Sequence, residues 1–152
     1  MHAWHGSYAL FKEFDLRYFG SGEGGKNSPY GIYLAENRQG GEYFGRYLHH
    51  RNGTGYLYEV ELTLSAEELL DEQGNDREIM ERLADRLLDL EDRYPGKAFA
   101  AYARSRGIHC FRSWEGTKPS HGYTYRCVSP ERITIVSCYE YDARSVSWRN
   151  CR

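Results

Sequence analysis

From Tyr56 to Leu64 the chain alternates without a break, with Tyr58, Val60, Leu62 and Leu64 on one face and Leu57, Glu59, Glu61 and Thr63 on the other. A period of two demands a strand buried on one side, so one layer of the fold has to be a sheet. A different period governs 75–94. There Ile79, Met80, Leu83, Leu87, Leu88 and Leu90 form one stripe, and Arg77, Glu81, Asp85, Arg86, Asp89, Glu91 and Asp92 face outward. That pattern predicts an amphipathic helix with a solvated charged face. Strand and helix signals in one chain of 152 residues indicate a single α+β domain spanning residues 1–152.

Other elements follow from shorter signals. The residues around Trp4-His5-Gly6-Ser7 predict a first strand ending in a glycine that leaves its backbone open to a flat group. Phe11, Phe14 and Leu16 alternate with polar residues, and Gly20 to Gly25 then forms a loop that breaks all periodicity. Tyr30 to Ala35 predicts a second strand, with Glu36 and Asn37 placed to satisfy the first N–H groups of a following helix. In that helix, from Asn37 to about His50, Tyr43, Phe44, Tyr47 and Leu48 fall at helical spacing, and Arg51-Asn52-Gly53 ends it. Ser65 to Glu68 reads as a capping box. A second helix spans 97–106 and stops at Gly107. Strands are predicted at 108–114, 123–128 and 133–139, the last two forming a hairpin or strand pair across Ser129 to Arg132. The tail from Asp142 onward carries no pattern.

Twenty basic against twenty-two acidic side chains give a net charge of −2, so the whole chain has no bias toward nucleic acid or a membrane surface. No apolar run approaches the roughly 20 residues of a membrane helix. Cys110, Cys127, Cys138 and Cys151 contain no C-x-x-C pair, and the N-terminus is unlike a signal peptide. Both point to reduced thiols in a cytoplasmic setting.

The segments Trp4 to Ser7, Phe11 to Asp15, Gly20 to Gly24, Tyr30 to Asn37, Glu42 to Phe44 and Gly55 to Leu62 resemble, in order and spacing, the ADP-ribosyltransferase superfamily. The likeness is to the small diphtheria-toxin and PARP-like branch found in bacterial toxins and phage polyvalent proteins, and it covers about the first 70 residues. It implies a split, mostly antiparallel β-sandwich with peripheral helices and an NAD+ cleft between two sheets. It further implies a mono-ADP-ribosyltransferase with NAD+ as co-substrate and a macromolecular acceptor, protein rather than nucleic acid, as a cytoplasmic effector or toxin.

Residue by residue, His5 matches the family's histidine on the adenosine ribose. Gly6 and Ser7 match the anchors of the nicotinamide amide, and Tyr33 and Tyr43 the two stacking tyrosines. Such groups suit the chemistry. Cleaving the nicotinamide–ribose bond passes through an oxocarbenium-like state with a neutral leaving group, so a rigid slot and fixed polar groups contribute more than a strong acid. Stacking on the charged pyridinium adds about 0.5 to 2 kcal/mol of binding that is lost on cleavage. The family's late acidic residue is missing from its usual place, where this chain has Thr124, and the neighbouring loop offers Glu115 as the catalytic acid.

Three other readings compete. An NAD+ glycohydrolase would use the same pocket with water as acceptor. A nucleic-acid-binding or nucleic-acid-modifying module could use Arg104, Arg106, Arg112, Lys118, Arg126 and Arg132 as a basic, aromatic-interleaved surface, and a domain with neither acid in place would bind NAD+ without turning it over. A metallohydrolase built from His49, His50, His109 and His121 lacks any pair at ligand spacing on one helix face. A dinucleotide fold of the strand–glycine–helix kind fails because no helix opens from the Gly20–Gly25 loop.

Overall fold

The computed structural model describes residues 1–15, 31–71, 95–114 and 122–151. Eight strands form one hydrogen-bonded sheet: β1 (His2–Ser7), β2 (Ile32–Ala35), β3 (Tyr56–Leu62), β4 (Leu69–Asp71), β5 (Cys110–Trp114), β6 (Tyr123–Cys127), β7 (Ile133–Asp142) and β8 (Ser147–Asn150). Their order across the sheet is β4-β5-β6-β2-β1-β3-β7-β8. All neighbours are antiparallel except β4 and β5. Two helices among the described residues, α1 (Arg38–Asn52) and α2 (Pro95–Ser105), make the fold α+β. The helix expected over 75–94 lies outside the described residues.

The alternation that predicts β3 is obeyed. Tyr58, Val60 and Leu62 are fully buried in a core that also takes Ala3, Leu34, Cys110, Tyr125, Cys127 and Ile133. Phe11 and Phe14, from the segment after β1, close over it, and Phe11 stacks on Tyr58 with ring centroids 4.3 Å apart. The Tyr58 hydroxyl accepts the Phe11 N–H and donates to the Ala9 carbonyl, both at 2.9 Å, and burial raises its pKa to about 12. This face of the sheet is a packed aromatic layer.

Both helices lie on the opposite face. Phe111 packs under α2 with Ala100, Ala103 and Val128. Register then carries that face across the sheet, from Phe111 to Arg126 to Tyr33, and from Ala35 to Trp4. Trp4 is where α1 packs: a Cβ on Gly41 would lie 2.8 Å from both Trp4 Cβ and Leu57 Cδ1. The buried residues of α1 are Gly40, Gly41, Gly45 and Leu48. Its aromatics Tyr43, Phe44 and Tyr47 are exposed, contrary to the packing face that their spacing suggests. Glycines bring the helix backbone so close to the sheet that no large side chain fits between them. Gly53 ends α1 in the left-handed conformation, φ 82°, and its N–H bonds the His49 carbonyl.

Three further expectations are corrected. β6 and β7 are not a hairpin: β6 lies between β5 and β2, and β7 between β3 and β8. The 3-10 turn Pro130–Arg132 carries the chain to the other half of the sheet, where the Arg132 carbonyl accepts the Thr63 N–H at 2.9 Å. The tail is ordered as β8, paired to β7 through Tyr141↔Trp148 and neighbouring residues. Finally, Cys138 and Cys151 form a disulfide, with Cα atoms 5.2 Å apart, in place of the reduced thiols expected for all four cysteines. Antiparallel pairing of β7 with β8 and the bond from the Cys151 N–H to the Cys138 carbonyl bring the two sulfurs together.

Candidate functional site

The sheet is nearly cut in two at its centre. β1 pairs with β3 along all six residues from His2 to Ser7, and β2 pairs with β6 along all four of its own. Between β1 and β2 there is one register pair, Trp4↔Ala35. A single ladder thus takes the place of two separate sheets, with halves β4-β5-β6-β2 and β1-β3-β7-β8 parting along a seam beyond Trp4. Continuing the antiparallel register past that pair sets Gly6 opposite Tyr33. The two segments singled out in the sequence, His5-Gly6-Ser7 and Tyr33, therefore face each other across this seam.

His5 bridges it. Its Nδ1 lies 2.6 Å from the Tyr33 carbonyl oxygen. A carbonyl only accepts, so Nδ1 carries the hydrogen and Nε2 is the lone-pair nitrogen of the neutral ring. The ring also packs edge-on against Phe14 at 5.1 Å and Phe11 at 6.2 Å, and lies 6.3 Å from Tyr58. Burial lowers the His5 pKa, and the bond to Tyr33 offsets only part of that effect. At neutral pH His5 is an uncharged acceptor with a fixed tautomer, suited to receiving a hydroxyl hydrogen.

Gly6 has a different neighbour from the one its sequence suggests. A Cβ there would lie 2.5 Å from Gly45 N, 2.7 Å from Gly41 O and 2.9 Å from the Phe44 carbonyl carbon. The main chain that this glycine admits is that of α1. On the seam side, only the backbone edge of Gly6 is left to meet a ligand. Ser7 is buried, and its hydroxyl accepts the Ala9 N–H at 3.1 Å, leaving its hydrogen to donate.

Tyr33 is half-buried on the helix-bearing face, opposite Arg126 in register. Arg126 is 7% exposed and lies on this same face, between Phe111 and Tyr33 in register. The competing nucleic-acid reading counts Arg126 in a basic surface; in the fold it lies on the inward side of its strand, opposite Tyr33. Tyr43 is 43% exposed on α1, and its ring meets Phe44 edge-on at 5.5 Å. Phe44 approaches Gly6 through its backbone, and its ring is exposed.

The acid position divides three ways. Thr124 is buried in β6 between Ala35 and Ser113. Glu115 and the Gly20–Gly25 loop lie outside the described residues. Glu36, expected to cap α1, instead accepts the Tyr123 N–H at 2.8 Å and stands at the head of β6. Asn37 precedes α1 with no side-chain cap bond. Of the basic residues considered for nucleic acid, Lys118 lies outside the described residues, Arg126 is buried, and three others are ion-paired. Arg112 pairs with Asp71 at 2.6 Å, Arg132 with Glu68 at 2.9 Å and Arg104 with Glu131 at 3.9 Å. The free thiols face each other across β5 and β6. Burial pushes Cys127 up to about 12 and Cys110 higher still, so neither serves as a nucleophile. Neither the family models nor the curated proteins compared with this sequence match it.

Proposed function

We propose that the chain is an NAD+-dependent mono-ADP-ribosyltransferase whose nicotinamide site is the seam between β1 and β2. The observation that carries this reading is the opposition of Gly6 and Tyr33 across a seam bridged by a neutral His5. The nicotinamide amide pairs with the backbone edge of Gly6 and the hydroxyl of Ser7, while Tyr33 offers its ring to the pyridinium. His5 Nε2 accepts a ribose hydroxyl, and Arg126 supplies positive charge for the diphosphate. Cleavage leaves neutral nicotinamide and transfers the ADP-ribosyl carbon to a nucleophile on a macromolecular acceptor, most simply a protein.

Catalysis here leans on orientation; Thr124 cannot act as a base, so the Glu115 carboxylate takes the proton that the acceptor nucleophile gives up as it bonds to the ribosyl carbon. No described helix is long and apolar enough to cross a membrane. The Cys138–Cys151 disulfide suits an effector that passes through an oxidising space before acting in a cytoplasm.

Incubating the protein with labelled NAD+, with and without bacterial lysate, tests the reading by following free nicotinamide and label on macromolecules. Label on a discrete species supports transfer, and loss of both signals in Tyr33→Ala supports the site. Nicotinamide release with no label in any lysate makes the protein a glycohydrolase. Absence of NAD+ binding removes the proposal.

A further inference from the structure

Eight large apolar side chains are exposed among the described residues, and five of them are gathered in two adjoining places: Tyr8 and Leu10 after β1, and Tyr43, Phe44 and Tyr47 on α1. The Thr54 hydroxyl donates to the Tyr8 carbonyl at 2.7 Å and ties the first segment to the end of the helix. At 100° per residue, Tyr43, Tyr47, Arg51 and Phe44 fall within about a quarter to a third of the helix circumference. Arg46 and His50 run along one edge of that stripe.

The stripe is basic. Arg51 lies within it and Arg46 on its edge, with one carboxylate, Glu42, 3.8 Å from Arg46; Arg38 lies on the packed side of the helix, over the Trp4 and Tyr139 rings. Arg51 and Tyr47 are arranged as a unit: the guanidinium lies 5.9 Å from the ring centroid, and its Nη1 donates to the Tyr47 hydroxyl at 3.2 Å. The helix exposes rings because its glycine face has taken the packing role. Exposed rings in such number call for a partner. A partner that buries aliphatic side chains is poorly matched by rings set among guanidinium groups. One that stacks flat faces and carries a negative charge beside each face is well matched.

We propose that the exposed face of α1, from Tyr43 to Arg51, binds single-stranded nucleic acid, with bases stacked on the rings and phosphates paired with Arg46 and Arg51. The inference stands apart from the NAD+ reading.

Fluorescence anisotropy with a dye-labelled twelve-nucleotide oligothymidine tests this at several salt concentrations. Saturable binding is expected, with a log–log salt slope of about −1.4 for two phosphates neutralised on a single strand. Tyr47→Ala weakens binding by about fivefold to a hundredfold, the range for loss of one stacked base. Arg51→Gln makes the slope shallower by about 0.7. Both side chains are exposed and outside the NAD+ site, so both variants keep the wild-type melting profile and NAD+ affinity. The proposal is overturned by absence of saturable binding, by wild-type affinity in both variants, or by polyglutamate competing as well as the oligonucleotide at equal charge. That last result would assign the face to acidic peptides.

Discussion

Gly6→Ala puts the packing of α1 on the sheet to a quantitative test. All three nearest atoms to the added methyl are backbone, at 2.5, 2.7 and 2.9 Å, so no side-chain rotation relieves the clash. Reaching an ordinary contact of about 3.5 Å requires α1 to move outward by roughly 1 Å. The helix cannot do this locally. Gly41 sits on Trp4 and Leu57, a Cβ on Gly45 would lie 2.6 Å from the Trp148 ring, and one on Gly55 would lie 2.2 Å from the Gly45 carbonyl. Lifting one end therefore loosens close contacts with β1, β3 and β8 together. Overpacking of this kind costs about 1–3 kcal/mol, and the rigid backbone on both sides sets the expectation at the upper end, about 3 kcal/mol. For a chain of this size that lowers Tm by about 6–12 °C. Urea unfolding followed by circular dichroism measures it. A loss below about 0.5 kcal/mol would show that α1 is not seated on Gly6 as described. One consequence is practical: Gly6→Ala reports on packing as well as on any ligand, so it cannot by itself test nicotinamide binding.

Two further outcomes follow from the described contacts. The His5 pKa is lowered in the fold, so above its unfolded value of about 6.5 the ring is neutral in both states and contributes no pH dependence. As pH falls below 6.5 the unfolded chain takes up a proton that the folded state resists, and stability drops by up to about 1.4 kcal/mol per pH unit until the folded ring titrates. Urea midpoints at pH 7.5 and 5.5 should differ less in His5→Gln than in wild type, and equal slopes would refute burial of a neutral ring. Cys151→Ser opens a disulfide between residues separated by 13 positions, for which loop closure predicts a loss of about 3 kcal/mol. Thermal unfolding with and without reductant checks it: the variant should match reduced wild type, and identical melting of oxidised wild type and variant would refute the bridge.

Much of the sheet is legible in the sequence, because strands with one buried face announce themselves by period. β3 is the clearest case, and the short capping turn at Ala66–Glu68 is signalled by its residues and closes with the Ser65 N–H on the Glu68 carboxylate at 3.0 Å. What misled was α1. Aromatics at helical spacing look like a packing face, yet Gly41 and Gly45 make the contact and the rings point to solvent. Glycines carry no hydropathy signal, so a face defined by close backbone approach is invisible to periodicity. Strand partnership was lost for a related reason: β6 and β7 are separated by a short turn rich in polar residues, and local signals cannot tell a hairpin from a crossover. β8 escaped notice because Ser147-Trp148-Arg149-Asn150 has too few apolar residues to alternate. In the site, His5, Gly6, Ser7 and Tyr33 are gathered at one seam, whereas Tyr43 sits outward on α1 and Glu115 lies beyond the described residues.

NAD+ binding in the seam between β1 and β2, as proposed, has a direct test. Titrating NAD+ into 15N-labelled protein and following the backbone amides tests it without requiring turnover. Saturable shifts are expected at His5, Gly6, Ser7 and Tyr33, with a change in the His5 ring nitrogens as Nε2 gains a hydroxyl partner. Saturable shifts centred on residues away from the seam, or no saturable shift at millimolar NAD+, would contradict it.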